Sequence, residues 1–192
     1  MPHPAADRWN THYDAEGEQW LARQPRQLLI DYAHFLPPTG LALDAACGVA
    51  TNGLFLAQRG LRVIALDISE IALRLAKRRA ESLTLPIFPA VYDLADPWLP
   101  PEIFDVILNF HFLERGTFPV YQRALKAGGI LIFETFLQTG EDILFPDYYL
   151  TSGELVRAFQ DFEILHSTES PLPGIEKVTS QLVARKPNTL KA

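Results

Sequence analysis

Four polar side chains in this sequence sit where strands would end: Asp44, Asp67, Asp93 and Asn109. Asp44 precedes the turn Ala46-Cys47-Gly48-Val49-Ala50-Thr51-Asn52-Gly53, in which Gly48 allows close approach to the backbone and the following helix offers unpaired N–H groups. A carboxylate placed like Asp67 accepts from both hydroxyls of a ribose. Gly48-x-Ala50-x-x-Gly53 with an acid about twenty residues on is also a degenerate dinucleotide fingerprint. Asp44 separates the two chemistries. A carboxylate ahead of the glycines repels a pyrophosphate and attracts a ligand carrying an amino group and a positive sulfonium. The plainer reading of Asp44, Asp67 and Asp93 is a set of strand-end caps.

His111 and Glu134 follow or close later apolar runs and are the candidates to take a proton from a hydroxyl or amine. Each also has a structural reading, the histidine as a loop residue bonded to backbone and the glutamate as a buried acceptor. Phe110, Phe136, Tyr148 and Tyr149 offer an aromatic wall or lid able to meet a cation, against ordinary core packing for the phenylalanines. Cys47, the single cysteine, reads as a small packed residue in the turn rather than a nucleophile.

To hold these groups, apolar runs must alternate with helical patterns, and from residue 41 onward they do. Leu41 to Ala45 and Leu61 to Leu66 read as strands around a short helix closed by Gly60. Ser69 caps a helix with Ile71, Ala72, Leu75 and Ala76 on one face and Lys77, Arg78 and Arg79 as a solvated basic end. Leu85 to Tyr92 contains Pro86 and Pro89 and belongs at a sheet edge, because proline cannot donate to a ladder. Phe104 to Phe110 and Ile130 to Phe136 suit central strands, with a helix from about Pro119 to Leu125 and the turn Ala127-Gly128-Gly129 between them. Thr151 and Glu154 read as a capping box for a helix through Phe159. Phe162 to Ser167 and Val178 to Ala184, joined only by the Pro171-Leu172-Pro173-Gly174 loop, read as antiparallel neighbours. Ahead of all this lie a polar, aromatic-bearing lead, Trp9 to Trp20, and a helix with Pro25 in its first turn, Leu28, Leu29, Tyr32, Phe35 and Leu36 on one face, and Pro37 and Pro38 as its stop.

At 192 residues, 48% hydrophobic and 21% charged, the chain has the apolar content of one well-cored domain. Seventeen basic against 23 acidic residues leave a net charge of −6, which argues against a nucleic-acid partner. The opening residues Met1 to Asn10 hold no apolar leader segment, and no stretch nears the roughly 18 apolar residues of a membrane span, so a cytoplasmic protein is expected. No pattern points to a metal. Oligomeric state is not legible.

Leu43-Asp44-Ala45-Ala46-Cys47-Gly48-Val49-Ala50-Thr51-Asn52-Gly53 resembles the first motif of class I S-adenosylmethionine-dependent methyltransferases. Ile64-Ala65-Leu66-Asp67-Ile68-Ser69, Tyr92-Asp93-Leu94, Phe104-Asp105-Val106-Ile107 and Leu125-Lys126-Ala127-Gly128-Gly129 resemble its later motifs, in order and at the expected spacing. More narrowly, Trp9-x-x-x-Tyr13, Tyr148-Tyr149-Leu150 and Phe133-Glu134-Thr135-Phe136 are similar to the tellurite-resistance-type subgroup.

The resemblance implies an α/β, single-domain, Rossmann-like fold: a seven-stranded, mostly parallel sheet with helices on both faces and a C-terminal antiparallel hairpin. Residues 1–40 would form a lead and helix covering the cofactor site, 41–186 the core and 187–192 a tail. It implies S-adenosyl-L-methionine as methyl donor, S-adenosyl-L-homocysteine as product and a small-molecule acceptor. The backbone around Ala46 and Gly48, with Asp44, would hold the methionine end, Asp67 the ribose, and Ile68 one side of the adenine. Asp93 and Leu94 would meet the adenine edge and face, Asn109 would add to the cofactor site, and Tyr13, Tyr148 and Tyr149 would serve the acceptor. Ala50 departs from the family, which usually has a second glycine there, and its methyl could crowd the cofactor. The rival readings are a silent S-adenosylmethionine-binding module and a minimal nicotinamide-dependent reductase.

Overall fold

The computed structural model describes residues 4–139, 146–171 and 177–188. They form two compact units that divide after Asp96. Seven strands, β1 (Gly40–Ala45), β2 (Leu61–Asp67), β3 (Ile87–Val91), β4 (Phe104–Phe110), β5 (Leu125–Phe136), β6 (Glu163–Pro171) and β7 (Val178–Arg185), run in the order β3-β2-β1-β4-β5-β7-β6, a mixed, Rossmann-like sheet.

In the first unit, β1 (Gly40–Ala45), β2 (Leu61–Asp67) and β3 (Ile87–Val91) are parallel, with Asp44 opposite Ala65 and Asp67 opposite Val91. Continuous burial of Ala42 to Ala45 follows from cover on both faces. Helix α3 (Thr51–Gln58) packs on β1 and β2, and α4 (Glu70–Ser82) on β2 and β3. Ser69 caps α4 as expected, its hydroxyl accepting from the Ala72 N–H at 3.2 Å. Strand β3 is the expected edge, and its Pro89 lies opposite Ala65.

The lead departs from its sequence reading. Pro4–Leu21 is a helix, α1, packed against α4. Trp9, Tyr13 and Trp20 are spaced at i, i+4 and i+11, a helical stripe that the polar residues between them obscure. They close over Val49, Ala72, Ile71 and Leu75. The next helix, α2 (Gln27–Asp31), begins after Pro25 rather than around it, with the Arg26 N–H bonded to Asn52 Oδ1 at 2.9 Å. A 3-10 turn, Ala33–Phe35, takes up the rest of the expected helix.

In the second unit, β4 (Phe104–Phe110) and β5 (Leu125–Phe136) are parallel, while β7 (Val178–Arg185) runs antiparallel to both β5 and β6 (Glu163–Pro171). Helix α5 (Thr117–Ala124) starts earlier than Pro119, and β5 begins directly after it, so the Gly128-Gly129 turn lies inside that strand's span. The capping box at α6 (Glu154–Ala158) forms only in half. Glu154 accepts from the Thr151 N–H at 2.9 Å, but the Thr151 hydroxyl also donates to Glu154 instead of capping the helix, whose N-cap is Gly153 and whose first residue is Glu154 itself. The Leu172-Pro173-Gly174 part of the hairpin loop and the end of the expected tail lie outside the described residues. Among the described residues no helix is long and apolar enough to cross a membrane.

Gly60, which turns the chain from α3 into β2, has φ 101°, and a Cβ there would collide with the Pro38 carbonyl oxygen. Gly60→Ala is therefore expected to cost about 2 kcal/mol or more, since an alanine is both strained at positive φ and blocked by backbone. A urea melt checks this; an unchanged midpoint would contradict the turn as described.

Candidate functional site

The carboxyl ends of β1 and β2 meet through one side chain. Asp67 Oδ2 accepts from the Gly48 N–H at 2.7 Å and Oδ1 from the Ser69 N–H at 2.8 Å. The carboxylate thus ties the glycine turn after β1 to the start of α4. Burial pushes its pKa upward, and the backbone donors at Ser69, Gly48 and Ile68 hold that rise in check. Asp44 is buried beside it, with Oδ2 accepting from the Gly53 N–H at 2.8 Å. Burial drives the Asp44 carboxyl up to about 8, the Gly53 bond opposes this, and the Asp67 charge adds to it. Two acids that repel each other in a dry site favour a cation or hydroxyl donors as their ligand.

The turn between them carries three left-handed residues, Ala46 at φ 50°, Gly48 at 55° and Ala50 at 54°. Ala50 takes the conformation that the family's usual glycine would, and its methyl is fully buried, facing Gly53. Cys47 is held in the turn by its N–H to the Leu66 carbonyl at 2.9 Å, and burial with the charges of Asp44 and Asp67 pushes its thiol well above the usual range. That suits the packed residue expected, not a thiolate.

Helix α1 closes this turn. A Cβ at Gly48 would collide with the Tyr13 hydroxyl, so the ring lies directly on the glycine. Burial first, then the Asp67 and Cys47 charges, push the Tyr13 phenol far above its ordinary value. Asn10 Oδ1 accepts from the Ser69 hydroxyl at 2.8 Å, and Tyr13 packs on Trp20 with ring centroids 4.9 Å apart. Asn10 and Trp20 were not legible as site residues; once the lead is read as a helix, their spacing from Tyr13 would have found them. The Trp20 indole N–H and the Thr51 hydroxyl are buried with no hydrogen-bond partner among the described residues. Of the expected adenine-side residues, Ile68 is half-buried, Leu94 is buried, and Asp93 is exposed with Oδ1 accepting from the Ala95 N–H at 2.9 Å.

The second unit has its own cluster. His111 follows β4 at φ 57°, its N–H donating to the Glu134 carbonyl at 2.7 Å and its Nε2 lying 3.0 Å from Glu134 Oε1. Glu134 Oε2 accepts from Gln181 Nε2 at 2.7 Å. The His111 ring also packs on Phe136, centroids 4.6 Å apart. Glu134 is a buried acceptor, as its structural reading had it, while the His111 ring meets that carboxylate rather than backbone through this bond. Asn109 is fully buried, donating to the Phe112 carbonyl at 2.7 Å and accepting from the Tyr121 hydroxyl at 3.1 Å. Its side chain fixes the turn that carries His111. Phe110 is buried, Tyr149 is half-buried with its ring 6.4 Å from that of Phe136, and Tyr148 is exposed.

A family model described as a methyltransferase domain matches residues 42–129. Over 144 residues the chain is 26% identical to a probable thiol methyltransferase 2 of Arabidopsis thaliana, a match covering 69% of this chain and 62% of that one. Over 152 residues it is 26% identical to the probable S-adenosyl-L-methionine-dependent methyltransferase TehB of Haemophilus influenzae, covering 74% of this chain and 52% of TehB. The crystal structure of that TehB superimposes with a TM-score of 0.75 at 20% identity, over 90% of this chain and 66% of TehB. A geranyl diphosphate C-methyltransferase from Streptomyces coelicolor, solved with S-adenosyl-L-homocysteine, superimposes with a TM-score of 0.70 at 17% identity, over 83% and 78%. The chain thus spans only part of the curated relatives it matches. Residues 42–129 thus carry a methyltransferase domain, and the sheet order, the acid-and-glycine turn and these likenesses agree with the fold of class I S-adenosylmethionine-dependent methyltransferases.

Proposed function

We propose that this chain transfers the sulfonium methyl of S-adenosylmethionine to a small nucleophile. The observation that carries the reading is the pair of buried carboxylates, Asp44 and Asp67, set around a left-handed glycine on which a tyrosine hydroxyl rests. The residues fit the donor: two buried carboxylates suit its amino group and ribose hydroxyls, and the partnerless Thr51 hydroxyl stands at the turn between them. When bound, the donor supplies a methyl carbon made electrophilic by a positive sulfur.

The chain's own groups then divide the work. Asp44 takes the amino group, the turn around Ala46 and Gly48 lines the methionine end, and Asp67 keeps acceptor capacity for the ribose hydroxyls, since each of its oxygens has a second lone pair. Ile68 and Leu94 flank the adenine, with Asp93 at its edge. Tyr13, expected on the acceptor side, is assigned instead to the methionine end because its hydroxyl lies on Gly48. Methyl transfer by in-line displacement needs alignment and exclusion of water more than a strong base. His111 is assigned the acceptor's proton, Asn109 holds its turn, and Tyr148 and Tyr149 are assigned to the acceptor. Thiols are the first acceptor class to test, because one relative is named a probable thiol methyltransferase. A panel of thiols, chalcogen oxyanions, phenols, amines and carboxylates with methyl-labelled donor tests the reading; no transfer to any of them would overturn it.

Removing the Asp67 carboxylate takes a charged acceptor from two hydroxyls, and such hydrogen bonds are worth roughly 1.5–3 kcal/mol each. Asp67→Ala should weaken S-adenosylhomocysteine binding by about tenfold to a few hundredfold in titration calorimetry. Because Asp67 also ties Gly48 to Ser69, circular dichroism must first show the variant folded, and Asp67→Asn serves as the milder control.

Asp44 gives the binding a pH dependence. With its carboxyl raised to about 8, the free protein holds a proton there at pH 6 to 7, and a cationic amino group must displace it. The sign follows: affinity rises with pH up to about 8 and levels off above, by as much as tenfold per unit, since one pKa unit is about 1.4 kcal/mol. Calorimetry of S-adenosylhomocysteine from pH 6 to 8.5 should show that slope in the parent protein and lose it in Asp44→Asn; a flat profile in the parent would contradict the assignment of Asp44.

A further inference from the structure

Among the described residues of the first unit, two buried side-chain polar atoms have no hydrogen-bond partner, the Trp20 indole N–H and the Thr51 hydroxyl. Both belong to the elements around the glycine turn. Thr51 follows Ala50 as the first residue of α3, and Trp20, near the end of α1, packs against the cluster of Tyr13, Val49 and Ala72. An unpaired buried donor costs stability, and a ligand that brings an acceptor removes that cost. Trp20 is the more exacting of the two, because a hydroxyl can turn to a new partner while an indole N–H points wherever its ring is clamped. That ring is held on several sides. Tyr13 and His12 lie with centroids 4.9 and 5.2 Å away, and the Arg23 guanidinium stands 3.3 Å from the ring centroid. Burial, then the Asp67 and Cys47 charges, raise the Tyr13 phenol, and Arg23 alone pulls it down, so a positive charge is felt beside Gly48. The turn is thus bordered by two carboxylates, Asp44 and Asp67, and by an unpaired donor with a cation stacked on it.

We propose that Trp20 recognises the carboxylate at the amino-acid end of the methyl donor: the indole N–H donates to that group while Asp44 takes the ammonium, and Arg23 lends a positive charge through the stacked ring. This rests on the methyltransferase reading above. An amino acid carries both charges on one carbon, so a site that met the ammonium with acids alone would draw the ligand's own carboxylate into a dry place beside Asp44 and Asp67, where like charges repel. A donor and a cation at the same turn remove that obstacle. The consequence is a choice among adenosyl ligands by the charges on their tails. A tail with both poles is held at both, and a tail with an ammonium alone keeps only Asp44.

Calorimetry with two ligands tests this: S-adenosylhomocysteine, and its decarboxylated analogue, which keeps the adenosine, the sulfur and the amino group and lacks only the carboxylate. The parent protein should prefer S-adenosylhomocysteine by about tenfold or more, because hydrogen bonds to a charged group are the strong ones. Trp20→Phe, which keeps an aromatic ring but has no N–H, should weaken S-adenosylhomocysteine by about tenfold and leave the analogue within about twofold. Equal weakening of both ligands would show that the indole only packs, and would overturn the proposal; so would an unchanged affinity for S-adenosylhomocysteine. Should Trp20→Phe not fold, Arg23→Gln, at an exposed position, decides by the same ratio. It is expected to narrow the preference about threefold, and an unaltered preference would count against the proposal as firmly. A parent protein that bound S-adenosylhomocysteine with no preference over the analogue would sink the role of Trp20 alone. A parent that bound neither ligand would sink the methyltransferase reading and this inference with it.

Discussion

The Asp67 carboxylate is the point on which the first unit turns. Two short bonds, one to the Gly48 N–H and one to the Ser69 N–H, fasten the loop after β1 and the first turn of α4 to the end of β2. Without them the glycine turn would have no fixed relation to the helix cap, and α1 would have no surface to close on, since Asn10 reaches the same Ser69 and Tyr13 the same Gly48. Burial makes this costly for a carboxylate, and the backbone donors offset part of that cost. A side chain read from sequence as a ribose acceptor is thus also the bolt of its own scaffold. Fold and ligand chemistry draw on the same two oxygens.

How much of this was legible depended on whether a signal was local. Strand ends carry their chemistry in the sequence: an apolar run closed by an acid, as at Asp44 and Asp67, identifies both the strand and the group it presents. Pro89 marked an edge strand for a reason that holds anywhere in a sheet. The Ser69 cap was equally local. By contrast α1 was hidden because its apolar stripe consists of three aromatics spread over eighteen residues of mainly polar sequence, and only packing on α4 makes it a helix. Thr151 and Glu154 spelled a capping box, but the helix begins two residues later than that pattern implies, with Gly153 as its N-cap. Asn109 looked like a residue at a ligand, and Tyr121 and Phe112 show what no pattern could: both ends of its amide are used inside the protein.

The two candidate clusters differ in what fixes them. The acids of the first unit are held by backbone N–H groups, partners that substitution of neighbouring side chains cannot remove. The imidazole of the second unit is held through side chains, Glu134 and behind it Gln181, which can change without disturbing the sheet.

Pro89 has a consequence for how this molecule meets its neighbours. Along β3 the Pro86 carbonyl and the Tyr92 N–H both turn inward to β2, so by the alternation of a strand residues 87, 89 and 91 face outward. Of these, Pro89 has no N–H, and the Ile87 N–H is folded back onto the Leu85 carbonyl at 2.9 Å. Only Val91 is left to offer an outward donor from the strand itself. A passing strand from another molecule would find an apolar surface there, with Phe88 52% and Val91 61% exposed, but no ladder along which to extend the sheet. The edge can be greasy without being adhesive.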